Sequence, residues 1–425
     1  MHHLAQSIRP HASPRSTPRG TALPGGVPFS SAIRLLTCLT AAILLTGCTT
    51  GPSGRLVIAG GATDEENGTV WGAFADGTKD KPIGIVGAAT SVPDQSVGSA
   101  RKAMILHGIA PERISELPLR SGNTAGADSP ETVKLIENLG GVWFVGGDQK
   151  RITATLINNG QDRPALAEIR RLVTLRGGVV GGTSAGAAMM SQQMLTGGDS
   201  DKWLTALLGN VPRPSRTAAA TPPEPPVDPA SILDQGLGFV ETFVTDQHFF
   251  ARGRYGRLAV ALIVGEKKFG IGIEENSAIA VELGTGHIRP LGDRAAVVMD
   301  ASRVTVDRTK GTISGIRLSI LGHDDLAIAS KGGIILASVP GAATRDTLLR
   351  SDPATESIPT VTGSKPFAKG LLPDAMLAAA WSRTGSITLS DDRWTVTFVA
   401  DDRTTVVGTG PSARARDIEL RISRR

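Results

Sequence analysis

Between residues 55 and 328 the chain alternates short apolar runs with stretches of helix-forming residues. Runs apolar at every position, rather than every second one, belong to strands buried on both faces, and helices between such strands make the connections parallel. The pattern predicts strands over 55–59, 83–88, 142–145, 178–181, 243–246 and 269–273, and helices over 97–108, 131–139 and 163–175. The expected class is α/β with a mainly parallel sheet. Several strands end in glycine pairs or polar residues, which places those residues at the carboxyl edge, where open α/β sheets bind ligands. Beyond 332 the pattern changes. Residues 386–389, 394–399 and 417–422 alternate as strands do, with no helical neighbours, so 332–425 reads as a small β-rich C-terminal extension of a domain spanning 55–331. Seven prolines fall between 212 and 229, so 211–230 reads as an irregular insertion on the surface.

Composition alters this picture mainly at the start of the chain. Residues 1–34 are basic and free of acids, and an apolar run over 35–44 leads into Leu45-Thr46-Gly47-Cys48. That order is an export signal, too short to span a membrane. Its last four residues resemble a bacterial lipobox, which implies removal of 1–47, lipid on Cys48, and a short tether over 48–54. The protein would then be held at the cell envelope by a lipid anchor. Loss of 1–47 takes away four arginines and no acid, leaving 41 basic against 40 acidic residues. A nearly neutral mature chain gives no support to nucleic acid as a partner. With Cys38 removed and Cys48 lipidated, no disulfide or cysteine–histidine zinc site is expected.

The chemistry gathers at four strand ends. Residues 181–187, Gly-Gly-Thr-Ser-Ala-Gly-Ala, put Ser184 on a turn of small residues. Before it lies the apolar run 172–180, read as a buried strand; after it, 187–194 reads as a helix. Strand, tight turn and helix make a nucleophile elbow. His248 follows the apolar strand 243–246 and is the histidine best placed to serve as a base for the serine. Glu274 and Glu275 end another strand, and either could orient that base. Gly146-Gly147 end a fourth, which makes the amides of Gly147 and Ala185 candidates for an oxyanion hole.

Taken in order, Gly-Gly-Asp-Gln (146–149), Gly-Thr-Ser-Ala-Gly-Ala (182–187), Asp-Gln-His-Phe (246–249) with Arg252, Arg254 and Arg257, and Gly-Ile-Glu-Glu-Asn-Ser-Ala (272–278) resemble the serine peptidase family of the cyanophycinases and aspartyl dipeptidases, peptidase family S51. The resemblance spans about 55–328. It implies a three-layer sandwich similar to class I glutamine amidotransferases, with serine in place of their cysteine. It also implies a Ser184–His248–Glu275 triad and no metal or organic cofactor. The expected substrate is cyanophycin, a poly-aspartate carrying arginine on each side chain, or another α- or β-aspartyl peptide. Gln149, Asp246 and Gln247, with Arg252, Arg254 and Arg257, would line its pocket, the arginines clamping carboxylates. A homodimer would be in keeping with the family. An envelope-binding lipoprotein on an inactive scaffold of the same kind is the alternative from outside the enzymes.

Overall fold

A computed structural model describes residues 54–209, 227–350, 359, 361, 363–409 and 412–425. The export signal, Cys48 and most of the Pro-rich insertion lie outside the described residues.

The apolar runs become the centre of a nine-stranded sheet. Its order is Gly333–Leu336, Ala327–Ser330, His287–Leu291, Ala278–Glu282, Arg55–Ala59, Val179–Thr183, Gly141–Phe144, Ile83–Val86 and Ile114–Glu116. The last five are mutually parallel, and the first four are added antiparallel. Helices Gly68–Gly77, Pro93–Leu106 and Pro164–Thr174 connect the parallel strands. Phe74 of the first of these meets Trp143 of the sheet edge to face, at 5.0 Å and 75°. The fold is therefore α/β with a large, mainly parallel sheet.

Three expectations of the pattern are corrected. Val244–Asp246 and Phe269–Ile273 do not extend this sheet; they pair in parallel with each other and begin a second one. A short run buried on both faces looks the same in either sheet, so periodicity could not separate them. The run 172–180 is also not one strand, because its first residues end the Pro164–Thr174 helix. Likewise the helix after Ser184 is a single turn, Ala185–Ala188. The backbone that would continue it is paired elsewhere: Met189 and Met190 carbonyls accept from Leu237 and Val240, and Gln192 donates to Val240.

The second sheet runs Val244–Asp246, Phe269–Ile273, Ala296–Asp300, Thr312–Leu321, Ile418–Arg424, Trp394–Val399, Ser386–Ser390. Strands of the C-terminal region thus pair with Thr312–Leu321. The region is β-rich but also holds helix Leu371–Trp381, which is apolar nearly all round and so shows no helical stripe in the sequence. Trp394, Phe398, Leu420 and Ile422 share one core with Val244, Phe249, Tyr255 and Leu258. Each such side chain contributes about 1.5–3 kcal/mol on burial, far more than an exposed pair such as Arg421–Glu419.

One buried ionic cluster fastens the same region. Asp325 accepts from Arg414 Nε (2.6 Å) and Nη2 (3.0 Å), from Arg416 Nη2 (2.6 Å) and from the Gly322 amide (2.8 Å). All three side chains are buried. Removing the carboxylate strands two guanidinium groups away from water. Asp325→Ala should lose about 3–5 kcal/mol in urea or guanidinium unfolding, against about 0.5 kcal/mol or less for Arg421→Ala. Equal small losses would show that the cluster does not hold the C-terminal strands in place.

Candidate active site

Three turns converge on the carboxyl end of the first strand. The amide of Ser184 donates to the Ala59 carbonyl (3.1 Å), that of His248 to Gly60 (2.7 Å) and that of Asn276 to Gly61 (2.8 Å). Consecutive carbonyls of one short segment thus hold a residue from each of three loops. Each of those residues has a positive φ: 55° at Ser184, 48° at His248 and 51° at Asn276. Non-glycine residues adopt this region rarely, and it aims their side chains where a relaxed turn would not.

The side chains meet in a line. Ser184 Oγ lies 2.9 Å from His248 Nε2, and His248 Nδ1 lies 2.7 Å from Glu275 Oε1. Although Ser184 is the residue before a helical turn, its hydroxyl does not cap it and faces the imidazole instead. Glu274 does something different. Its carboxylate accepts from the amides of Phe250 and Ala251, the second at 3.0 Å, so it pins the turn that follows His248. Burial raises the Glu274 pKa above the ordinary carboxylate value. The ambiguity between the two glutamates is therefore one of geometry: Glu275 touches the base, and Glu274 holds its loop.

Gly61 was missed in the sequence. Its φ is +108°, and a Cβ there would collide with the imidazole of His248, so only glycine leaves room for the ring. The signal was available, since Gly60-Gly61 ends a strand just as Gly146-Gly147 does. Asn276 was missed too; its side chain hydrogen-bonds Asp64 and Asn67 and ties the Glu275 loop to the segment between Arg55–Ala59 and the Gly68–Gly77 helix. No hydrogen bond of the Gly147 or Ala185 amide is found among the described residues; Gly147 is exposed and Ala185 fully buried.

The expected pocket residues divide. Asp246 and Arg257 are fully buried and joined in a bidentate ion pair, Nε to Oδ2 at 2.9 Å with Nη2 on Oδ1, while Arg257 Nη1 donates to Gly198 (2.6 Å). The expectation that these two reach substrate directly is corrected, because each already satisfies the other below the site. Arg254 donates to the Gln247 carbonyl (2.6 Å) and to its Oε1 (2.8 Å). Burial pushes the Arg254 pKa down to about 10, leaving it charged at neutral pH. Gln149 donates to the carbonyls of Leu195 and Thr196. Arg252 alone of the set is exposed. The ring nitrogens of His323 face Asp293 and Asp324. Among the described residues no group of acidic, histidine or cysteine side chains could hold a metal ion.

No protein-family model matches the chain. A cyanophycinase from Nostoc sp. is 29% identical over 284 residues, covering 64% of this chain and 84% of that protein. One from Synechococcus elongatus is 29% identical over 285 residues (65% and 79%), and one from Geminocystis herdmanii 28% over 282 residues (64% and 92%). Among solved structures, a peptidase from an acI-B1 actinobacterium is 20% identical and covers 68% of this chain and 96% of its own, with a TM-score of 0.41. A putative peptidase E from Listeria monocytogenes is 16% identical (54% and 95%), with a TM-score of 0.35.

Charge around His248 sets its protonation. Burial lowers its pKa below the ordinary 6.5; the hydrogen bond it donates to Glu275 opposes this, and the charges of Arg252 and Arg254 add to the lowering. The imidazole is thus neutral at pH 7. Its titration, followed by NMR of the ring nitrogens, should have a midpoint below 6.5. Arg252→Gln removes a repelling cation and should move that midpoint up, whereas Glu275→Gln removes the group that favours imidazolium and should move it further down. A rise in Glu275→Gln would sink this account.

Proposed function

We propose, on the premise that this chain is a peptidase of the cyanophycinase type, that it is a serine exopeptidase releasing β-Asp-Arg dipeptides from cyanophycin. The observation that carries this reading is the continuous line from Ser184 Oγ through His248 to Glu275, at 2.9 and 2.7 Å. In the proposed reaction Ser184 Oγ attacks an aspartyl carbonyl and His248 Nε2 takes its proton. The amides of Gly147 and Ala185 receive the oxyanion, an arrangement typically worth about 3 kcal/mol of barrier per donor. The imidazolium then passes its proton to the departing amine, and water, deprotonated by the same nitrogen, releases the acyl group from Ser184. Glu275 holds the imidazole in the tautomer this needs.

Arg252, exposed at the edge of the histidine turn, is the group proposed to meet a substrate carboxylate. Gln149, held by the Leu195 and Thr196 carbonyls, and Arg254, held by Gln247, would shape the pocket together with Gln247. The second reading is hydrolysis of other α- or β-aspartyl peptides. It is favoured by the closed Asp246–Arg257 pair, which leaves fewer charged groups for a doubly charged repeat. The export signal and lipid on Cys48 belong to the same proposal, with the enzyme facing its substrate from the cell envelope. So do a homodimer and the absence of nucleic acid from its partners.

The test is incubation of the protein from residue 48 onward, with Cys48→Ser, with purified cyanophycin beside its Ser184→Ala variant. Release of β-Asp-Arg, reduced at least about 10⁴-fold in Ser184→Ala, is the expected result. Cleavage of simpler aspartyl peptides alone would keep the triad and discard the polymer. A folded protein silent on all of them would leave the envelope-binding reading.

A further inference from the structure

The turn that carries His248 and Arg252 is closed from outside by a segment of the C-terminal region, residues 367–370. Phe250 O, the carbonyl two residues beyond His248, accepts from the Gly370 amide at 2.8 Å. The hydroxyl of Tyr255, at the end of the same turn, accepts from the Phe367 amide at 2.9 Å. The two rings pack with centroids 4.8 Å apart, and Tyr255 is fully buried. Gly253 has a φ of +55°, and a Cβ there would collide with the Phe367 carbonyl; a Cβ on Gly256 would come within 2.8 Å of the Phe367 ring. Phe367 itself has a φ of +62°, unusual for a bulky side chain and kept only where the surroundings over-determine it.

Glu274 holds the turn from the inner side through the amides of Phe250 and Ala251. Ser200 donates to the Gly253 carbonyl at 2.7 Å. The 367–370 segment closes the remaining side. Nothing in it reaches Ser184 or His248, so its effect must pass through the turn.

We propose that residues 367–370 are a positioning strap for the His248 turn, with Phe367 as its key residue, so that the C-terminal region is part of what aligns the base and presents Arg252. This rests on the proposed peptidase reading for its effect on rate, but the strap itself is a statement about the turn. A strap that sets the base should act on kcat, because displacing a catalytic group by about 1 Å can cost about 100-fold. One that sets Arg252 should also raise KM. A region needed only for folding would change neither per folded molecule.

The experiment compares the wild type with Phe367→Ala, Phe367→Tyr and Trp394→Phe. The last loses the hydrogen bond from the indole to Asp201 (2.6 Å) and leaves in place the hydrogen bonds that Phe367 and Gly370 make to the turn. Hydrogen exchange of the amides of 249–254 is measured together with kcat and KM on an aspartyl substrate. Phe367→Ala should exchange at least about tenfold faster over 249–254 and lose kcat, with Phe367→Tyr restoring both and Trp394→Phe changing neither. Protection over 249–254 that is unchanged in Phe367→Ala would overturn the proposal. So would equal acceleration in Phe367→Ala and Trp394→Phe. If the wild type cleaves no aspartyl peptide, the peptidase reading fails, and the exchange comparison still decides the strap.

Discussion

Everything at the candidate site depends on three carbonyls. Ala59, Gly60 and Gly61 end the strand at the centre of the first sheet, and each accepts one amide, from Ser184, His248 and Asn276 in turn. Backbone hydrogen bonds of this kind are individually modest, at about 0.5–1.5 kcal/mol each. Their value lies in direction: they fix three loops from different parts of the chain to a common, rigid segment. The segment can do so because the strand it ends is paired on both sides, with Val179–Thr183 and Ala278–Glu282. Two of the three loops, those of Ser184 and Asn276, leave directly from or lead directly into these neighbours. The third follows Val244–Asp246 of the second sheet, and the Asn276 loop itself comes out of Phe269–Ile273, so both bring the second sheet's chemistry to this segment.

The same three residues carry the local strain. A non-glycine residue at positive φ costs on the order of 1–3 kcal/mol. Three of them within one small volume would relax if the loops were free to turn. They are not free, because Glu274 fixes the far side of the His248 turn and Asn276 is locked to Asp64 and Asn67. The buried Asp246–Arg257 pair has a corresponding role from below. It sits at the end of the Val244–Asp246 strand and, by closing on itself and on Gly198, prevents that strand end from moving. A buried pair is a poor source of net stability but a good source of fixed geometry when every donor is satisfied.

Much of this was legible in the sequence, for identifiable reasons. Strands buried on both faces leave continuous apolar runs, and a serine between small residues at a strand end marks an elbow, so Arg55–Ala59, Val179–Thr183 and Ser184 could be placed. The pairing of His248 with Ser184 came from its place after the apolar run 243–246 and from the family resemblance. What the sequence concealed are facts of assignment between sheets and of non-local backbone contact. Nothing in 243–246 or 269–273 says which sheet the strand joins. The 371–381 helix, apolar but for Asp374, lacks the polar face that marks helices, so the C-terminal region looked purely β. Charged residues such as Asp246 and Arg257 read as ligands because a sequence shows their charge but not their partner. Gly61 and Phe367 carry no chemistry of their own; they matter only through what lies against them.

The electrostatics of His248 tie these layers together. Burial and the nearby Arg252 and Arg254 outweigh Glu275, so the resting imidazole is held neutral. In the proposed reaction the imidazolium appears only as Ser184 gives up its proton, at the moment when negative charge develops on the substrate oxygen. The cations that disfavour imidazolium at rest are then offset by that new charge, while the Glu275 contact at 2.7 Å strengthens as its partner becomes cationic. Interactions that grow between ground state and transition state are the ones that lower a barrier. Keeping the base neutral therefore follows from the same burial that holds the turn rigid: a looser, wetter turn would raise the imidazole's pKa and misplace it together. Order in the His248 turn and the protonation state of its imidazole are one property of this site, set by how closely the two sheets and the 367–370 segment enclose it.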